Sequence, residues 1–177
     1  MPRKASLAKR EGDVTLDGHP LTVLGEKLQP GDRAPDFRLL SPDFRQISLA
    51  ESDGKVRLIS VVPAIDTDVC SLQTRRFNAE AGALGDEVVV YTVSVDLPPT
   101  LARWRREEGA DQIDVLSDHI DLGFADAYGT HVEEIRQEQR AVFVVDQEGI
   151  VRHAEYVREI GDEPDYAAAI AAVRLLL

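Results

Sequence analysis

The only cysteine in the 177-residue chain is Cys70, which closes the segment Pro63-Ala-Ile-Asp-Thr67-Asp-Val-Cys70. A thiol does its chemistry as the thiolate, so what matters is how this segment treats the sulfur. Upstream, Val56 to Val62 is a run of Leu, Ile and Val, the composition of a strand buried in a parallel sheet. Pro63 stops that strand because it has no N–H to give to a ladder. Thr67 suits the position just before a helix, where its hydroxyl can accept from a free backbone N–H. Cys70 then falls in the first helical turn, over unpaired N–H groups and the positive end of the dipole, and both favour S⁻ over SH. A cysteine kept for packing would instead lie in an apolar stripe with no cap before it.

The helix end is too weak to do this alone. A thiol starts at a pKa of about 8.5, and each unit of lowering takes about 1.36 kcal/mol, whereas a helix terminus supplies about 0.3–1 kcal/mol. A cation must reach the sulfur from elsewhere in the chain.

The elements that would position these residues are legible from periodicity. Asp13 to Gly25 reads as a hairpin, with Val14 and Leu16 alternating, Asp17-Gly18 turning, and Leu21 and Val23 returning. Ala34 to Leu39 and Ile47 to Leu49 read as edge pieces. Val56 to Val62, Val88 to Val95, Ala141 to Val145 and Ile150 to Val157 are rich in β-branched residues and form the central sheet. Helical patterns lie between them. Thr67 to Leu84 would turn Val69, Leu72, Phe77, Ala81 and Leu84 inward; Pro98 to Glu108 follows, and then Asp118 to Tyr128, ended by Gly129. In the last segment Pro164 opens a helix whose Tyr166, Ile170, Val173 and Leu177 share one face. Asp146-Gln-Glu-Gly149 is a turn in an antiparallel hairpin, so the expected fold is α/β with a mixed central sheet flanked by helices. Residues 13–177 are expected to form a single domain, and residues 1–12 a flexible tail.

The spacing Pro63-xxx-Thr67-xx-Cys70 resembles the active-site signature of the peroxiredoxins. Four further stretches resemble the bacterial thiol peroxidase branch: Val61 to Asn78, Ser94-Val-Asp-Leu-Pro98, Arg140-Ala-Val-Phe-Val-Val-Asp146 and Glu163-Pro-Asp-Tyr166. The resemblance covers about Val14 to Val173. It implies a thioredoxin-like fold with an extra N-terminal β-hairpin, and reduction of hydrogen peroxide and organic hydroperoxides by Cys70. A thioredoxin-like protein or a low-molecular-weight thiol would then reset the sulfur, and the resemblance also implies a homodimer. Arg140, on the same ground, is the cation that bonds both sulfur and peroxide. From residue type alone it reads as an ordinary solvated charge before a strand. The Thr67 hydroxyl would serve both cap and peroxide, and Pro63 would shield the sulfur from water.

Two positions depart from the pattern. Thiol peroxidases commonly carry a second, resolving cysteine in the helix after Ser-x-Asp-Leu-Pro, where this chain has Arg105. With one cysteine no internal disulfide is available, so the expected cycle passes through a sulfenic acid met by an external thiol. A redox sensor, relay or scaffold with little turnover is the other function consistent with the missing thiol. The second departure is Asp68, whose carboxylate would raise the sulfur's pKa if it faced it and would not if it faced water.

The rest of the composition excludes more than it selects. Asp and Glu number 32 against 20 Lys and Arg, a formal charge of −12 that repels nucleic acid and anionic membranes. No apolar run approaches a membrane span. The first dozen residues carry Arg3, Lys4, Lys9 and Arg10 without the apolar stretch of a signal peptide, so the cytoplasm is the expected site. His19, His119, His131 and His153 show no ligand spacing with one another or with Cys70, so neither a metal nor another cofactor is expected.

Overall fold

Val56 to Val61, every residue buried, run through the middle of a seven-stranded sheet in the computed structural model, which describes residues 6–177. In chain order the elements are β1 (Lys9–Leu16), β2 (His19–Leu24), β3 (Leu39–Leu40), β4 (Gln46–Ile47), β5 (Val56–Val61), α1 (Asp68–Leu84), β6 (Val88–Ser94), α2 (Pro98–Glu108) and β7 (Asp114–Ser117). They continue with α3 (Gly123–Tyr128), β8 (His131–Val132), β9 (Gln137–Glu138), β10 (Ala141–Val145), β11 (Val151–Tyr156) and α4 (Tyr166–Arg174).

The main sheet is ordered β11-β10-β5-β6-β7-β3-β4. β5, β6 and β7 are parallel, whereas β10 joins β5, and β3 joins β7, antiparallel. The sheet is therefore mixed, and the Asp146–Gly149 turn makes the β10–β11 hairpin as its composition suggested. Alternation along β5 feeds two cores. Val56 and Leu58 pack with Phe77 of α1, Leu101 and Trp104 of α2, and Ile170 and Val173 of α4. Ile59 and Val61 face the other way, onto Phe37, Phe124, Tyr128 and Phe143. Cys70 lies in the first of these cores.

β5 also buries a charge. Arg57 donates to Ser52 Oγ at 2.9 Å, to the Asp146 carbonyl at 2.8 Å and to Asp53 at 3.0 Å, so its guanidinium is satisfied where it would otherwise cost several kcal/mol.

Several boundaries differ from the sequence reading, each for a tertiary reason. β1 begins at Lys9, because Lys9, Arg10 and Glu11 pair with Leu24, Val23 and Thr22; the flexible tail therefore does not extend through residue 12, and its first five residues lie outside the described ones. The Asp17-Gly18 turn is as expected, with φ of 49° and 78°, the left-handed pair that a two-residue hairpin requires. β7 is only four residues long and becomes a strand through its ladder with β6. α3 starts at Gly123 rather than at Asp118, because the Asp118 carboxylate turns back to accept from the N–H groups of Phe124 at 3.1 Å and Ala125 at 2.9 Å. α4 is capped by Asp165, which accepts from Ala168 N–H at 2.9 Å and leaves Pro164 outside the helix. No helix among the described residues is long and apolar enough to cross a membrane.

Candidate active site

β5 delivers Pro63 and the loop behind it to the start of α1, with Thr67 at the N-cap and Cys70 three residues in. The strand and helix lengths fit the sequence reading, but the inward face of α1 is turned by one position. Cys70, Gln73, Thr74, Phe77 and Leu84 are buried, while Val69 and Leu72 are only partly so. The polar pair Gln73 and Thr74 can be buried because both find partners. Thr74 Oγ1 donates to the Cys70 carbonyl at 2.8 Å, and Gln73 Nε2 donates to Ser60 Oγ of β5 at 2.8 Å.

Gln73 also holds the cation that the sulfur needs. Arg140, at the start of β10, is 1% exposed, and its Nη1 donates to Gln73 Oε1 at 2.7 Å. Nε and Nη2 both donate to the Ile160 carbonyl, at 3.2 and 2.9 Å. Nη2 further donates to Cys70 Sγ at 3.4 Å, and Cys70 is itself 1% exposed. Residues 70 positions apart are thus brought into one buried contact.

The charge balance of this contact is its most informative property. Removing a guanidinium from water costs several kcal/mol unless it is paired. Among the described residues Arg140 forms no ion pair with a carboxylate; the partners given above are two neutral oxygens and the sulfur. Of these partners only the Cys70 sulfur can carry a negative charge.

Thr67 is at the cap as expected, but its hydroxyl does not cap. Its Oγ1 donates to the Ala64 carbonyl at 2.9 Å, reinforcing a turn already closed by Thr67 N–H to the same oxygen at 3.2 Å. With its only proton committed there, the hydroxyl oxygen retains lone pairs to accept with. Pro63 is buried at the end of β5. Asp68 is exposed in the first turn of α1, which is the water-facing arrangement of its two alternatives. Arg105, in the place of a resolving cysteine, donates to the Ala110 carbonyl at 3.1 Å beyond the end of α2, and its neighbour Trp104 donates to Ser71 Oγ at 3.2 Å.

The segment leading into Arg140 carries an unusual acid. Glu138 is fully buried; its Oε2 accepts from Thr130 Oγ1 at 2.9 Å, and its Oε1 has no partner among the described residues. Burial, and then the Asp118 carboxylate, push its pKa well above the usual carboxylate range. Burial likewise pushes Asp118 up to about 6. Below the unfolded-state pKa, near 4.5, both states hold the proton and stability is unaffected. As pH rises past that value the unfolded chain ionises first, so folding takes up a proton and stability falls until the folded group ionises too. Glu138→Gln keeps an oxygen for Thr130 and removes the titration. It is expected to flatten the fall in melting temperature between pH 4.5 and 8, with each kcal/mol recovered worth about 2–4 °C at this chain length. Equal slopes in both proteins would show that Glu138 does not carry the effect.

Among the described residues no group of His, Cys, Asp or Glu is placed to hold a metal ion. The functional residue missed by pattern was Gln73; its signal is a polar side chain three positions after the nucleophile, and so on the same helix face.

Comparison with known proteins gives the family of the chain. Residues 30–154 match the model of the AhpC/TSA family. A thiol peroxidase of Bacillus subtilis is 47% identical over 165 residues, covering 93% of this chain and 98% of that protein. A thiol peroxidase of Halalkalibacterium halodurans is 50% identical over 164 residues, with 93% and 98% covered. Among solved structures, a peroxiredoxin-like protein from Aquifex aeolicus superposes with a TM-score of 0.88 at 31% identity, covering 98% of this chain and all of that one. Thiol peroxidase from Chromobacterium violaceum gives 0.81 at 23% identity, with 92% and 95% covered. A thioredoxin-like sheet that buries one cysteine against one arginine, on a chain related over nine-tenths of its length to thiol peroxidases, belongs to the AhpC/TSA family, in the thiol peroxidase branch of the peroxiredoxins.

Proposed function

We propose that this chain reduces hydrogen peroxide and organic hydroperoxides through Cys70 in a one-cysteine cycle. The observation that carries the reading is the Arg140 guanidinium, buried without a carboxylate partner among the described residues and bonded to the Cys70 sulfur. The thiolate attacks the terminal oxygen of the hydroperoxide; the S–O bond forms as the O–O bond breaks, and the departing oxide takes a proton to leave as water or alcohol. Cys70 becomes a sulfenic acid. Arg140 donors hold the sulfur and the attacked oxygen together, and as charge builds on the departing oxygen they stabilise it. The Thr67 oxygen accepts from the peroxide O–H, and Pro63 keeps water from the sulfur.

An external thiol then condenses with the sulfenic acid, releasing water, and a second thiol frees Cys70 as a disulfide leaves. A thioredoxin-like protein or a low-molecular-weight thiol fills this role, and the cytoplasm, where such thiols are kept reduced, is the compartment that suits it. The working form in this reading is a homodimer of the domain spanning 13–177. Leu97 and Ile120, 55% and 69% exposed, offer apolar surface to a second copy.

Peroxide consumption by the pure protein, with thioredoxin, glutathione and dithiothreitol supplied in turn, tests the cycle. Many turnovers per chain with at least one of them are expected. A single turnover with all three would favour the sensor or relay function instead.

A further inference from the structure

The loop that presents Cys70 is held from outside by a residue the peroxide chemistry does not use. Asp96 lies in the turn between β6 and α2, immediately before the α2 cap Leu97. Its Oδ2 accepts from Ile65 N–H at 2.7 Å and from Ser94 Oγ at 2.7 Å. Its main-chain oxygen accepts from the Ser117 hydroxyl. Ser94 and Ser117 are cross-strand partners that end the parallel strands β6 and β7, so Asp96 is braced by the rigid sheet on one side and reaches the Cys70 loop on the other.

Ile65 is an effective place to grip. Its side chain is fully buried, and it lies two residues after Pro63, which has no N–H, inside the turn that Thr67 closes on Ala64. Fixing its N–H fixes where α1 begins. Gln73 sets the position of Arg140 from within α1, and Asp96 sets the position of the first turn of α1 from the neighbouring strands. The Cys70 to Arg140 contact depends on both.

A carboxylate brings one property to this junction that a neutral side chain would not. That property is acceptor strength: a hydrogen bond to an ionised oxygen is about twice as strong as one between neutral groups, and here one oxygen takes two. We propose that Asp96 is a positioning residue for the peroxidase reaction, fixing the Pro63–Thr67 loop through Ile65 N–H and thereby the placement of Cys70 Sγ against Arg140. The proposal rests on the peroxidase reading of Cys70, and its test separates the two.

Two readouts are taken on the intact protein: kcat/KM for peroxide, and the pH at which iodoacetamide alkylation of Cys70 is half-maximal. Asp96→Ala removes the acceptor and is expected to lower kcat/KM about tenfold or more and to move the alkylation midpoint to higher pH, because the sulfur loses its register with Arg140. Asp96→Asn keeps an oxygen for Ile65 and Ser94 but accepts more weakly without the charge; its rate and midpoint should fall between those of wild type and Asp96→Ala. An Asp96→Ala protein unchanged in both readouts overturns the proposal, as does an Asp96→Asn protein as impaired as the alanine variant. If Asp96→Ala does not fold, Ser94→Ala decides, since it releases one side of the carboxylate: a raised midpoint supports the proposal and an unmoved one overturns it. Alkylation needs no peroxide. A wild-type protein inert to peroxide would therefore refute the peroxidase reading while leaving the alkylation comparison intact.

Discussion

Cys70→Ser is expected to reduce peroxide consumption to the rate of buffer alone while the chain stays folded. A serine hydroxyl is scarcely ionised at neutral pH and has no adjacent base to activate it, so Arg140 would face a neutral oxygen where it now faces the sulfur. The structural change is small: one buried sulfur becomes an oxygen beside a donor that can still bond it, which puts the stability cost near the typical 1 kcal/mol of a point substitution. Peroxide loss followed alongside thermal melting separates the two effects. Appreciable turnover by a folded Cys70→Ser protein would remove Cys70 from the mechanism.

Arg140→Met should slow the reaction of the thiol with peroxide by about 10²–10³-fold, the range found when one donor is removed from a preorganised anion site. It should also shift the pH–rate profile upward, since the helix end alone supplies about 0.3–1 kcal/mol of thiolate stabilisation. The effect on stability should be much smaller than the effect on rate. Methionine leaves the Ile160 carbonyl and Gln73 Oε1 without donors at about 1–3 kcal/mol each, but it also relieves the desolvation of a buried cation, and such replacements by apolar side chains are often neutral overall. A folded Arg140→Met protein with an unmoved pH–rate profile would return Arg140 to the role of an ordinary structural charge.

How far these residues were legible differs case by case. The β5 to α1 junction was readable because everything that shapes it is local: an apolar run, a proline, a capping residue and a helical stripe within about thirty positions. Arg140 was not readable from its surroundings, because the contact that gives it meaning crosses seventy residues and four strands of chain; the resemblance of the segment around it supplied what periodicity could not. Gln73 was obscured by the apolar Val69 and Leu72, which drew the inward face of α1 one step from its true position. Asp96 was visible as part of Ser94-Val-Asp-Leu-Pro98, but its task depends on a main-chain N–H of a different loop. The same limit explains β7 and the late start of α3, where a ladder and a returning carboxylate overrule short-range preference.

The most direct measurement of the central claim is the intact mass of the wild-type protein after one equivalent of hydroperoxide, with a sulfenic-acid trap added to half of the sample. The account predicts one added oxygen, located at Cys70 and captured by the trap, with a second oxygen appearing only when peroxide is in excess. Dithiothreitol added before the excess should restore the starting mass. A protein that consumes peroxide while Cys70 retains its original mass and remains fully open to alkylation would contradict it.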